Sequence, residues 1–68
     1  MKNLIKVERA RKDLTQAELA DKVKVARQTI IAIESGKFIP STLLAFKIAE
    51  VLGCKVDEIF ELEEGDWE

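Results

Sequence analysis

Apolar residues recur at helical spacing through most of the chain, and the interruptions carry the chemistry of helix ends. Leu4, Val7 and Ala10 stand three apart with basic residues between them. This predicts a helix over residues 3–12 with those three facing inward. Asp13 should end it, because aspartate tolerates the left-handed conformation better than most residues. Thr15-Gln16-Ala17-Glu18 fits a capping box, in which hydroxyl and carboxylate satisfy the amides of a new helix. That helix runs to about Val23 and buries Leu19, Ala20 and Val23. A third is expected from Arg27 to Ser35, with Ile30 and Ile33 inside and Gly36 as its stop. Pro40-Ser41 then marks an extended approach and an N-cap. Ala45, Ile48, Ala49 and Leu52 define an amphipathic helix over Thr42–Leu52, closed by Gly53. Asp57 is placed to cap a last short turn holding Ile59 and Phe60. Beyond it Glu61-Leu62-Glu63-Glu64 alternates acidic and apolar, as a short strand or a loose tail would.

The second and third helices are separated only by Lys24, Val25 and Ala26. So short a turn forces a steep crossing, as in the DNA-reading helix-turn-helix. Ala20 is small at the closest approach, Val25 plugs the turn, and Ile30 and Ile33 hold the second helix from below. Arg27, Gln28, Ile31, Ala32 and Ser35 are left pointing outward. Any helical hairpin would need that inner face. The outer one, with Arg-Gln-Thr at a helix N-terminus, offers donors and acceptors suited to base edges and phosphates.

Composition narrows the alternatives. Sixty-eight residues, 47% hydrophobic and 35% charged, make one small domain near the lower limit for a self-sufficient core. With one cysteine, Cys54, and no histidine, the chain can form no internal disulfide or zinc knuckle and lacks the commonest general base. Cys54 itself reads as a small buried hydrophobe, with redox sensing as the alternative. No phosphate-cradling glycine loop or carboxylate cluster is evident either, so an enzyme, a metal site and a cofactor are not expected. There is no membrane-length apolar run and no signal-peptide pattern, which predicts a cytoplasmic protein. The net charge of −2 hides an asymmetry: residues 1–40 hold nine basic and five acidic side chains, residues 41–68 two and eight. A basic front and an acidic back would be oriented by a polyanion, with the acidic tail turned away.

Residues 14–60, LTQAELADKVKVARQTIIAIESGKFIPSTLLAFKIAEVLGCKVDEIF, resemble the Cro/phage-repressor (XRE) family of helix-turn-helix regulators. The likeness rests on TQ-x-ELA, RQTI-x-x-IE-x-GK, a proline, LAFKIA and a final D-E-I-F. It implies an all-α, five-helix λ-repressor-like domain over 1–68, with the helix-turn-helix at 16–35 and the third helix in the major groove of double-stranded DNA. In the same positions, Gln16 matches a phosphate anchor, and Arg27, Gln28 and Ala32 fall where the family reads bases. Gln28 suits adenine and Arg27 guanine or a phosphate. Thr29 matches a phosphate contact, as do Ser35 and Lys37. Ile31 would touch a thymine methyl or shield the helix flank. Lys24 stands where the family often has glycine, and Ala26 where serine or threonine caps the third helix.

The resemblance further implies a homodimer that represses transcription from a palindromic operator, with no small-molecule effector evident. An antitoxin-like protein that binds a partner and autoregulates its operon is the alternative. Residues 60–68 are then either a dimerisation segment displaying Phe60, Leu62 and Trp67, or a tail beyond a core closed by Phe60. A short two-stranded β-ribbon from the chain ends, Met1–Asn3 with Phe60–Glu63, would fit such relatives.

Overall fold

The computed structural model describes residues 1–68. Its elements are β1 (Lys2–Asn3), α1 (Ile5–Arg11), α2 (Gln16–Val23), α3 (Arg27–Glu34), α4 (Thr42–Leu52), α5 (Val56–Ile59) and β2 (Phe60–Glu61), followed by a 3-10 turn at Glu64–Trp67. No helix is long and apolar enough to cross a membrane. Helix after helix packs around one core whose fully enclosed side chains are Ile5, Leu19, Val23, Ile30, Ile33, Ile48, Leu52 and Ile59.

Helix ends follow their local chemistry. The Glu18 amide donates to Thr15 Oγ1 at 3.0 Å, and the Thr15 amide donates to Glu18 Oε1 at 2.9 Å, completing the box that starts α2. These bonds hold the Glu18 carboxyl below its ordinary titration range. At α4 the Ser41 hydroxyl accepts from the Leu44 amide at 3.2 Å, and Gly53 closes the helix at φ 69°. Asp13 takes φ 54°, as expected of a residue ending α1.

The inner face of α1 differs from the expected one. Leu4 and Val7 are about half exposed and Ala10 is exposed, whereas Ile5 is fully enclosed. The inward stripe of this seven-residue helix is Ile5, Glu8 and Arg9, so polar residues occupy positions that periodicity assigns to apolar ones. A hydrogen bond from the Leu4 amide to the Ile59 carbonyl, 2.9 Å, ties the start of the helix to the end of α5. Asn3 adds a second tie: its Nδ2 donates to the Ile33 carbonyl at 2.8 Å.

Two further expectations need correction. Asp57 lies inside α5; the N-cap is Lys55, whose amide donates to Glu58 Oε1 at 2.7 Å. A glutamate three residues on reaches the cap amide more readily than Asp57 could from within the first turn. Phe60 is not displayed for a partner but belongs to the core, 8% exposed. Strand alternation turns it inward and Glu61 outward.

The ribbon itself forms within one chain, antiparallel, pairing Lys2 with Glu61 and Asn3 with Phe60. The tail beyond it is held back on the N-terminus. The α-amino group of Met1 lies 3.0 Å from Glu63 and 3.1 Å from Asp66, and these carboxylates raise its pKa above the ordinary value.

Candidate nucleic-acid interface

Helices α2 and α3 are joined by Lys24, Val25 and Ala26, and the turn works by backbone conformation more than by side chains. Lys24 adopts φ 61°, ψ 47°, a left-handed geometry that releases the chain from α2. Val25 donates its amide to the Ala20 carbonyl at 3.0 Å and packs against the core. Ala26 is the N-cap of α3 and offers no side-chain acceptor. The first amides of α3 are therefore open to an outside acceptor.

Packing of Leu19, Ala20 and Val23 against Ile30 and Ile33 fixes which side of α3 is left outside. Arg27, Gln28, Ser35 and Lys37 are exposed, Ile31 is 38% exposed, and Thr29 and Ala32 are half-buried. All the residues expected at a DNA contact on α3 and its C-terminal end thus fall on one accessible flank or its edge. The Ser35 hydroxyl donates to the Ala32 carbonyl at 3.0 Å, which leaves the Lys37 ammonium as the uncommitted donor at that end.

Gln16 is half-buried at the first position of α2, and its side chain is already held. Its Nε2 donates to Glu34 Oε1 at 3.1 Å, and one amide hydrogen remains free. Glu34 is in turn gripped by Arg9, with Nε to Oε2 at 2.6 Å and Nη2 to Oε1 at 3.1 Å. The remaining guanidinium nitrogen donates to the Leu14 carbonyl at 2.8 Å. Both side chains of this pair are close to fully buried, 13% and 8% exposed. Arg9 and Glu34 therefore fix the position of Gln16 relative to α3, a role absent from the sequence reading. The signal available was Arg9 lying one turn after Ile5 and Glu34 immediately after Ile33.

Arg9, Thr15, Gln16, Ala17 and Arg27 line a polar hollow beside the α2 N-terminus. The Arg9 guanidinium there is paired with Glu34, so the uncompensated positive charge comes from Arg27, with the open first amides of α2 beside it. At the opposite end of α3 the acidic tail comes nearer than expected, since Glu63 shares a shallow hollow with Ser35 and Gly36. Its charge there is offset by the Met1 amine.

The comparisons agree with this geometry. The family described as Helix-turn-helix matches residues 5–59. An uncharacterised HTH-type transcriptional regulator of Methanocaldococcus jannaschii is 54% identical over 66 residues, covering 97% of this chain and all of that one. A similarly described regulator of Bacillus subtilis, YgzD, is 47% identical over 64 residues, covering 94% and 97%. Among solved structures, the clp gene regulator ClgR of Corynebacterium glutamicum superposes with a TM-score of 0.75 at 28% identity, over 79% of this chain and 57% of that one. A chain of the SinR/SinI protein complex gives 0.77 at 28%, over 94% and 63%. The chain thus spans less than two-thirds of either solved protein. A three-residue turn between crossed helices, an outward polar flank and these relatives converge: this chain belongs to the helix-turn-helix family of Cro/phage-repressor (XRE) type, the DNA-binding transcriptional regulators.

Proposed function

We propose that this protein acts as a homodimer that reads a palindromic operator through α3 and represses by occupying it. The observation that carries the reading is the state of Arg27 and Gln28. Both are exposed at the N-terminal end of α3, free of the ion pairs and hydrogen bonds that hold Arg9 and Gln16. Gln28 can contact adenine through both its amide groups, and Arg27 can reach guanine or the adjoining phosphate. Gln16, with its remaining amide hydrogen and the α2 amides beside it, sets a phosphate in the hollow next to Arg27. Thr29 and Lys37 add backbone contacts, and Ile31 and Ala32 meet the groove between them.

One such domain makes few base contacts. Two of them, each 34 × 21 × 19 Å, can sit side by side with recognition helices about 34 Å apart, one turn of duplex. Selection of bound sites from random duplex DNA should return an inverted repeat with that spacing. Gln28→Ala should then lose about 1–3 kcal/mol at one base pair per half-site. Lys37→Ala should weaken binding to all sequences alike and make the salt dependence shallower. Equal loss of preference from both changes, or an asymmetric selected site, would refute the assignment.

A further inference from the structure

The loop from α3 to α4 exposes two large apolar side chains in succession. Phe38 is 50% exposed and Ile39 59%, and neither joins the core, whereas Pro40 beside them is buried. A single apolar residue on a surface needs no explanation. This pair stands directly after Lys37, at the C-terminal end of the helix that carries Arg27 and Gln28.

Backbone hydrogen bonds fix where the loop lies. The Gly36 amide donates to the Ile33 carbonyl at 3.1 Å, and the Lys37 and Phe38 amides share the Ala32 carbonyl at 2.9 and 3.2 Å. Gly36 allows this tight return at φ 79°. At the other end Pro40 holds Ile39 extended. The pair is thus carried on the last turn of α3 itself, continuous with the flank assigned to DNA, and ordering it on a ligand costs little entropy.

Charge selects the occupant. Lys37 is the only charged residue from Ser35 to Ser41, and the Glu34 carboxylate just before it is turned to Arg9 and Gln16. Glu63 approaches from the Ser35 side but is paired with the Met1 amine. A polyanion therefore meets no free carboxylate along this loop. The other exposed apolar group, Leu43, Phe46 and Leu62, differs in this respect, since Glu50 and Asp57 stand in its grooves. Between its phosphates a DNA strand offers the carbon face of deoxyribose, which adjoins whatever phosphate Lys37 takes.

We propose that Phe38 and Ile39 pack on the deoxyribose of the strand whose phosphate Lys37 holds, an uncharged contact that strengthens binding without reading sequence. The inference rests on the reading of α3 above and adds to that interface two residues with no side-chain donor.

The test measures binding of the full chain to its selected duplex over a range of salt. Phe38→Ser/Ile39→Ser changes exposed side chains outside the core, so the melting transition should stay in place. Affinity should fall about tenfold for each half-site, on every sequence alike, the scale of leaving a half-covered ring in water. The slope against salt should not move, because an apolar contact releases no counterion, whereas Lys37→Ala should flatten it. The heat-capacity change of binding should also become less negative. An unchanged affinity, or a loss that comes with a flatter slope, overturns the inference. So does a loss on the full operator that is absent on a duplex holding one half-site, since the loop would then meet the other subunit. Gln28→Ala on the same duplexes separates the two readings. If it relaxes base preference while the loop variant binds like the wild type, the loop contact alone is wrong. If it leaves preference intact, the reading of α3 fails and the loop contact falls with it.

Discussion

Glu34 offers the sharpest test of how this small fold is held together. Its carboxylate receives three hydrogen bonds, two from Arg9 and one from Gln16, and 8% of the side chain is exposed. Glu34→Ala removes all three and leaves the Arg9 guanidinium with only the Leu14 carbonyl. Breaking a buried pair by deleting one member costs about 3–5 kcal/mol. Arg9 keeps 13% exposure, so water can reach the stranded charge, and about 2–4 kcal/mol is the better figure. A chain of this length has a total stability of roughly 3–10 kcal/mol. The variant should therefore lose a large share of it, with a fall in melting temperature of roughly 10–25 °C.

The double variant Arg9→Met/Glu34→Leu separates a stranded charge from a loss of packing. Replacing both members with apolar groups removes the desolvation cost of both, so it should return to within about 1 kcal/mol of the wild type. Urea unfolding of wild type, both single variants and the double variant completes the cycle. In the refolded double variant Gln16 has lost the group that holds it. DNA binding should then weaken evenly across sequences while the base preference set by Gln28 is unchanged. A Glu34→Ala cost below about 1 kcal/mol, or a double variant as unstable as the worse single one, would show that the pair is not the clamp its geometry suggests.

Two other predictions concern the helix ends. Lys24→Gly relieves a left-handed side-chain residue, and Ala26→Ser supplies the missing acceptor at the start of α3. Each should add about 1 kcal/mol in thermal melts, and a loss from either would mean the turn geometry is different. Glu18 titrates below its ordinary value because the capping box stabilises the carboxylate. Its contribution is complete above the unfolded value of 4.5 and disappears as pH falls through the lower folded one. Glu18→Gln keeps an acceptor for the Thr15 amide but cannot titrate, so its stability should vary less with pH across that acid window. Parallel stability curves for the two proteins would count against the box.

What could be read from the sequence, and what could not, divides along the range of the interactions. Thr15 with Glu18, Ser41 with Leu44, and Gly53 after Leu52 are contained within four residues or fewer, so their patterns signal helix ends directly. The same locality made the α2–α3 turn and its outward flank legible. Once Ala20, Ile30 and Ile33 are assigned to the inside, Arg27 and Gln28 have nowhere else to go. The Arg9–Glu34 pair joins residues 25 apart, and while Ile5 and Ile33 nearby hint that each turns inward, nothing local says that they meet. That pair also misled the reading of α1, because an inward arginine breaks the apolar period that would have singled out Ile5.

The C-terminal segment illustrates a different limit. Phe60 and Leu62 stand two apart in an alternating run, and periodicity places them on one face. In the fold they part company: Phe60 is enclosed and Leu62 is 57% exposed. The ribbon is only two residues long on each side, and the chain leaves it after Glu61, so the alternation ends before Leu62 can follow Phe60 inward. Phe46 is likewise outside the core, 59% exposed, and it is in space that it joins Leu62 along one groove. An apolar residue excluded from its own core is evidence about a neighbour only when the fold shows what it lies beside. Here Phe46 and Leu62 are 16 residues apart, and it is the fold that brings them to one groove, a pairing which no short window along the chain contains.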